Sequence, residues 1–329
     1  MGMKVSPSIA LVTSETRLKG LLAKWGTKGA AKFRLKSARV NYQNSAGAIA
    51  LDAEADFDRY VEEDDRFQTA IGNVRRELEG LGYPVINVTK NYLPTYYFGM
   101  TEAVVVVGPD GLVANTAKYA GDLPIIGINP DPSNIDGVLL PFQIRDTRSI
   151  VRQTLSAIER GQAVSHKSIT MAKATMVDGR TMLAFNDFFI GRQSHVSARY
   201  VLYADGKNES QSSSGILVAT GAGSTGWLSS VYNMTRGIVG GAALGPSSVT
   251  MPWDTHELRW VVREPFLSRT SAVGLVTGTI GQGSPLRLES LMPEGGVVFS
   301  DGIEADYLEF NTGAIAEFGI APNACRLVV

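Results

Sequence analysis

The sequence predicts an α/β fold in its first half and a mainly β fold in its second. Three observations carry this. Continuous apolar strand-like runs alternate with helical stretches up to about residue 145. After Gly161 the runs are short and Asp-Gly pairs separate them. The chain has 329 residues, 44% apolar and 19% charged, which is longer than one core usually serves and suits about two packed domains.

Ile9 to Val12 read as the first strand. The stretch "TRLKGLLAKWGTKGAAKF" follows and reads as partly helical, broken by Gly26 and Gly29. Phe67, Ile71, Val74, Leu78 and Leu81 recur at helical spacing and mark one face of a helix. Gly82 and Pro84 stop it, and a strand runs from Val85 to Thr89. The next strand, Ala103 to Val107, enters Gly108-Pro109-Asp110-Gly111. A helix over Leu112 to Ala120 then leads to a strand from Pro124 to Asn129. Uninterrupted apolar strands alternating with helices predict an open parallel sheet covered on both faces. Residues 1–145 are therefore read as an α/β domain and 146–329 as a β-rich domain. A connecting helix over Asp146 to Arg160 opens the second, with Asp146 as its cap and Gly161 as its end. Beyond it, "KSITMAKATMV", "TMLAFNDFFI", "VSARYVLYA" and "GILVAT" are strand-like, and Asp178-Gly179 and Asp205-Gly206 are hairpin turns.

Composition excludes several classes. The formal net charge is −1, so no global basic field holds nucleic acid or an anionic membrane. The charge is uneven: Lys4 to Arg39 carries nine Lys/Arg against Glu15, and Asp52 to Asp65 carries eight carboxylates against Arg59. The two segments read as solvated faces, or as a basic surface that meets phosphates or an acidic neighbour. The single cysteine, Cys325, forbids an internal disulfide and reads as a packing residue. His166, His195 and His256 have no metal-ligand spacing, and no metal site is expected within the protein itself. No apolar run approaches the roughly 18 residues of a membrane span. Met1 to Ser6 fits the short myristoylation pattern. The expectation is a cytoplasmic protein without nucleic-acid or membrane partners; a homo-oligomer is left open.

One loop carries chemistry. Gly221-Ala222-Gly223-Ser224-Thr225-Gly226 follows the apolar run Ile216 to Ala219 and spells G-x-G-x-x-G. A dinucleotide fingerprint should open a βαβ unit and be answered by an acid about 20 residues on. Here the surroundings are β-rich, no acid occurs between Gly221 and Asp254, and Gly240, Gly241 and Ala242 stand where the acid belongs. The loop can still serve a nucleoside. Gly221 and Gly223 permit close backbone approach, Ser224 and Thr225 offer hydroxyls, and Trp227 offers a flat ring.

Taken with its neighbours, this loop resembles that of the NAD kinase family. Three blocks carry the resemblance in the family's order. "VVVVGPDG" (Val104 to Gly111) is similar to a strand followed by a Gly-Gly-Asp-Gly loop, with "PIIGIN" downstream. "FNDFFI", with Asn186-Asp187, is similar to an Asn-Glu pair in a strand. "AGSTGWLSS" is similar to the family's Thr-Gly-Ser-Thr-Ala-Tyr loop, with Ser230 as its late serine. A looser match is "SDGIEADYLEFNTG", Ser300 to Gly313. The first hundred residues share only a general α/β character.

The resemblance implies a kinase moving a phosphoryl group from ATP, or polyphosphate, to a ribose hydroxyl of NAD or a related nucleoside or sugar. Gly108 and Gly111 would shape the phosphate loop and Asp110 would be the base. Asn186 and Asp187 would hold the adenosine side and ribose hydroxyls. Gly223, Ser224, Thr225, Gly226, Trp227 and Ser230 would form the adenine-side pocket, with Trp227 standing for the family's Tyr. Mg²⁺ would arrive with the nucleotide. Every block departs from the pattern at one position: Pro109 for Gly, Leu112 for Thr or Ser, Asp187 for Glu, Gly226-Trp227 for Ala-Tyr. A dinucleotide-binding sensor without chemistry, or a lipid or sphingoid kinase, are the alternatives.

Overall fold

A computed structural model of the chain describes residues 7–36, 53–240 and 249–329. The myristoylation pattern at Met1 to Ser6, the ends of the basic and acidic segments at Arg39 and Asp52, and Gly241 and Ala242 lie outside the described residues. The chain divides into two compact units, 1–116 with 125–164, and 117–124 with 165–329. Residues 146–164 are thus grouped with the first unit and 117–124 with the second.

In the first unit, β1 (Ser8–Thr13) leads into α1 (Arg17–Trp25), α2 (28–36) and α3 (Ala53–Glu79). The chain continues through β2 (Val85–Thr89), β3 (Thr101–Val107), α4 (Asp110–Ala120), β4 (Pro124–Asn129), β5 (Phe142–Gln143) and α5 (Thr147–Glu159). The strands pair in parallel in the order β2-β1-β3-β4-β5. That is the 2-1-3-4-5 order of doubly wound sheets, whose ligand crevice lies where the order reverses, between β1 and β3. Ile9 to Val12, Val104 to Val107 and Ile125 to Ile128 are fully or almost fully buried, as continuous apolar strands require. Helix α5 packs on α3 and β3 through Val151, Thr154 and Leu155, so it belongs to this unit.

Three local readings are corrected. Gly26 ends α1 with φ 79°, but Gly29 lies inside α2 and breaks nothing. Helix α3 is 27 residues long and ends at Glu79, leaving Leu81 in the following turn. Asp146 stands at the N-cap of α5 without capping it; its carboxylate instead accepts Gln143 N–H at 2.9 Å. The acidic N-terminal half of α3 answers the basic helices: Thr16 Oγ1 donates to Asp64 at 2.6 Å and Lys32 pairs with Asp58 at 3.5 Å. Both side chains of that ion pair are solvent-exposed, so a solvated face and an acidic neighbour coexist there.

In the second unit, β6 (His166–Ile169) pairs with β19 (Cys325–Val328) as an antiparallel ribbon. Between them run β7 (Ala172–Met176), β8 (Thr181–Ala184), β9 (Asp187–Arg192), β10 (Ala198–Ala204), β11 (Lys207–Ser213) and β12 (Ile216–Ala219). After α6 (Trp227–Val239) come β13 (Leu258–Val262), β14 (Thr277–Ile280), β15 (Leu286–Ser290), β16 (Gly296–Ser300), β17 (Tyr307–Glu309) and β18 (Ile315–Ile320). Twelve of these strands form two antiparallel sheets, β11-β10-β15-β18-β7-β8 and β14-β13-β12-β9-β16-β17. The hairpin turns fall where the Asp-Gly pairs predict, with Asp205 at φ 51° and Gly206 at φ 71°.

Alternation explains the core. Phe188, Ile190, Ile216, Val218, Trp260, Val262 and Val298 face the first of these sheets. Phe189, Leu217, Ala219, Val261, Val297 and Phe299 point the other way and pack with Leu228 and Val231 of α6. Both faces of β9, β12 and β16 are therefore apolar, which is why "GILVAT" lacks a polar beat. Cys325 is buried, and desolvation pushes its thiol up to about 12, as expected of a packing residue.

Trp260 is 1% exposed, and a Cβ on Gly278 would lie 2.7 Å from its Nε1. Trp260→Ala is expected to destabilise the second unit by about 3–5 kcal/mol through the cavity it leaves. Urea unfolding followed by circular dichroism checks this; a loss under about 1 kcal/mol would mean that the site collapses freely.

Candidate functional site

The second unit builds its site where β9 begins and β12 ends. Thr220, just after β12, donates its hydroxyl to Phe185 O at 2.6 Å, and its N–H goes to Asn186 O at 2.9 Å. Gly223 N–H returns to Thr220 Oγ1 at 3.2 Å. Two sequence blocks, Asn186-Asp187 and Gly221 to Thr225, are thus tied into one corner.

The glycines serve that tie. A Cβ on Gly223 would lie 2.0 Å from Asn186 O, and one on Gly221 would lie 2.0 Å from Pro252 O. This corrects the expectation that these glycines make room for a ligand: their close approach is to the protein's own carbonyls. Ser224 is fully buried, donates to Gly221 O at 2.7 Å and accepts Met251 N–H at 3.0 Å, so its hydroxyl holds the loop. Ser230 is exposed and reaches back to Gly226 O at 3.3 Å. Trp227 stacks on Phe189 at 5.6 Å with an interplanar angle of 7°, and Arg263 stands 5.1 Å from its centroid. Its flat ring is engaged by protein partners. Thr225 and Gly226 are exposed, and of this loop they remain open to a ligand.

Asn186 is half-buried and Asp187 is 9% exposed. By strand alternation Asp187 lies on the face of Phe189. Its carboxyl is pushed up to about 7, chiefly by burial and then by the charge of Asp301. Asp301 organises the corner. Its carboxylate accepts N–H bonds from Phe185 at 3.1 Å, Asn186 at 2.6 Å and Asp187 at 3.3 Å. Lys118, in the last turn of α4 and within the second unit, stands 3.8 Å from Asp301 Oδ2 and donates to Ser300 Oγ at 2.9 Å. Burial pushes the Asp301 carboxyl up, while Lys118 and the three N–H groups pull it back. The next residue of that turn, Tyr119, donates to Asp306 Oδ2 at 2.5 Å, and its hydroxyl is pushed up by desolvation and by that carboxylate. Thr220, Lys118, Tyr119 and Asp301 are not among the residues that the sequence suggests. The available signal is the Asp-Gly of "SDGIEADY": Asp301 has φ 54° and Gly302 φ 69°, an unusual backbone for an aspartate.

In the first unit, β3 ends at Val107 and α4 begins at Asp110. Asp110 Oδ1 accepts Leu139 N–H at 2.6 Å, and Oδ2 has no protein donor among the described residues. Gly108 leaves space for Leu112, whose Cδ2 would meet a Cβ there at 2.8 Å; Gly111 faces open space and Pro109 is exposed. A cavity of about 730 Å³ is lined by Ser14 and Thr16 after β1, Pro109 after β3, Asp131 after β4, and Arg59 and Arg66 of α3. It occupies the C-terminal edge of the sheet, at the reversal of strand order. Among the described residues no group of three or more His, Cys, Asp or Glu side chains could hold a metal, and no helix is long and apolar enough to cross a membrane.

Asp187 supplies a test of this geometry. A raised carboxyl pKa means that folding favours the neutral acid. That stability is complete below the unfolded value of 3.8 and is lost as pH rises through about 7. Asp187→Asn, which stays neutral, is expected to gain on the wild type in melting temperature from pH 4 to pH 8. A gap between the two that does not change with pH would remove the titrating carboxyl from this position.

No family model matches the chain. A curated relative, a probable NADH kinase of Oryza sativa subsp. japonica, is 24% identical over 221 residues, covering 60% of this chain and 62% of the relative. The chain thus spans less than two thirds of that relative's length. The crystal structure of yeast NADH kinase complexed with NADH superposes with a TM-score of 0.54 at 13% identity, over 99% of this chain and 84% of that one. An NAD kinase from Archaeoglobus fulgidus in complex with ATP gives 0.54 at 14%, over 98% and 93%. The predicted fold class is borne out: the chain has the fold of these two structures, with a parallel sheet followed by antiparallel sheets.

Proposed function

We propose that the chain is an NAD kinase-like phosphotransferase, taking a phosphoryl group from ATP or polyphosphate to a ribose hydroxyl of NAD, NADH or a related nucleoside. The observation that carries this reading is the corner at Asn186. Two blocks that resemble the family's nucleoside-binding segments are hydrogen-bonded to each other through Thr220. The similarity to a probable NADH kinase supports the same substrate class.

In this reading Asn186 and Asp187 take the nucleoside's polar groups, and exposed Thr225 and Gly226 border its base. Asp110 is the general base. Its Oδ1 is held by Leu139 N–H, which aims Oδ2 to accept the proton of the attacking hydroxyl. The new O–P bond forms as the bond to the departing phosphate breaks, and the loop Gly108 to Gly111 holds the phosphates. Magnesium would come with the donor's phosphates rather than from a cluster of protein carboxylates, since no group of three or more such side chains among the described residues could hold it. Bound to those phosphates, it would neutralise their charge.

Pro109 and Leu112 favour a second reading, a dinucleotide sensor. Proline offers no N–H to a phosphate, and Leu112 is buried where the family's pattern carries a hydroxyl.

Incubation with ATP, Mg²⁺ and NAD, followed by detection of NADP, tests the kinase directly. Asp110→Asn keeps an acceptor for Leu139 N–H but loses the base, so turnover should fall about 10²–10⁴-fold with melting temperature unchanged. Full turnover in that variant would take Asp110 out of the chemistry.

Pro109→Gly separates the two readings. It restores an N–H, and the kinase reading expects a lower KM for the phosphate donor with unchanged dinucleotide affinity, by about one to two decades. Dinucleotide binding by calorimetry with no phosphoryl transfer in either protein would establish the sensor instead.

A further inference from the structure

The face of the first unit between α3 and α5 carries an open groove of about 630 Å³. Arg76 of α3, Arg148 and Arg152 of α5, and Arg145 in the turn ahead of α5 line it, against the single carboxylate of Glu77. It shares no lining residue with the cavity at the Gly108 loop. The arginines are poorly neutralised. Arg148 stands 3.7 Å from Glu77 and Arg145 3.9 Å from Asp146, both loose pairs of half-exposed or exposed side chains. Arg76 donates to the uncharged Asn73 Oδ1 at 3.2 Å. Arg152 is exposed and makes no ion pair among the described residues.

This arrangement works against its own helix. Arg148 and Arg152 are four residues apart on α5, a spacing at which like charges repel. Past Asp146 at the N-cap, the N-terminal turn of α5 holds no acid, and Arg148 sits there against the positive end of the helix dipole. A guanidinium is a planar fork matched to phosphoryl oxygens, and four of them on one groove suit an anion with more than one phosphoryl group.

We propose that this groove binds an oligophosphate, either an inorganic di- or triphosphate or the phosphate chain of a nucleotide, at a site separate from the Gly108 loop. It reads the phosphates and not a base, because guanidinium groups dominate its lining and no aromatic side chain contributes to it. The inference is independent of whether the protein transfers phosphate.

Hydrogen exchange with inorganic triphosphate, and separately with ATP, locates the site. Calorimetry on the wild type, Arg148→Gln/Arg152→Gln and Arg145→Gln/Arg152→Gln then measures it, with sulfate at matched ionic strength as control. The second double variant keeps Arg148 and its bond to Gly80 O, so the test does not depend on a contact that also serves the fold. We expect both ligands to protect residues 144–152, and affinity to fall about 10–100-fold in both variants. Unaltered affinity in the variants, protection confined to the Gly108 loop, equal protection by sulfate, or binding of ATP without triphosphate would each overturn the assignment.

Discussion

The buried carboxylate of Asp301 is the constraint around which the second unit's site is organised. Taking an ionised carboxylate out of water carries a penalty of several kcal/mol, so it persists only if its oxygens are satisfied. Three N–H groups at the entry of β9 and the ammonium of Lys118 satisfy them. Hydrogen bonds to charged groups are worth about 1.5–3 kcal/mol each; they counter that penalty without cancelling it, since burial still holds the Asp301 carboxyl above its ordinary value, and they fix Phe185, Asn186 and Asp187 in one bend. Asp301 itself adopts a left-handed backbone to reach them. With one anion already fixed, the second carboxyl of the corner, Asp187, is the one that gives way and titrates near neutrality. The pair resembles the arrangements in which one acid holds a structure and its neighbour is left free to exchange protons or accept hydrogen bonds.

The same corner explains why three glycines in a dinucleotide-like spacing do not make a dinucleotide fingerprint. In a βαβ unit such glycines clear a path for a pyrophosphate. Here Gly221 and Gly223 clear a path for Pro252 O and Asn186 O. The physical requirement, absence of a Cβ at a close backbone approach, is identical in both cases. What differs is the partner, and the missing downstream acid and the β-rich surroundings are the features of the sequence that separate the two.

Legibility in the sequence followed burial. Strands β2 and β4 match the sequence reading residue for residue: β4 is buried at every position and reads as an apolar run, whereas β2 is an edge strand with Ile86 and Asn87 exposed, and Gly82 and Pro84 ahead of it mark its start. Helix α3 is longer than its apolar stripe suggests: its first half is acidic and pairs with basic helices, and only Phe57, with partly buried Tyr60 and Val61, joins Leu18 and Ala31 in a small cluster. Within the site, Asp110, Asn186 and Asp187 stood out through the blocks that resemble the family's, Asp110 in the loop that follows an apolar strand and Asn186-Asp187 as a polar pair within a strand. Lys118 and Asp301 did not. A lysine in an amphipathic helix reads as a solvated charge, and an aspartate before glycine reads as a turn. Their pairing is a contact between residues far apart in sequence, which no local pattern encodes. Ser224 and Trp227 show the converse: their side-chain chemistry suggested a ligand, and tertiary contacts use them for packing and loop locking.

Three of the departures from the family's pattern, Leu112, Trp227 and Asp187, are matched by local contacts. Leu112 fills the space over Gly108, where a Cβ would not fit beside it. Trp227 lies flat on Phe189 with Arg263 against its ring, so the larger side chain extends the packing of α6 onto its sheet. Asp187 is shorter than Glu, and the bend that presents it is held by Asp301 through its own N–H. A decaying site would accumulate substitutions without such partners, leaving cavities or unpaired buried groups, each of which lowers stability. In this chain these three residues are integrated into the packing. Pro109 is the departure without such a contact: it is exposed, and the backbone there has one N–H fewer to offer an anion.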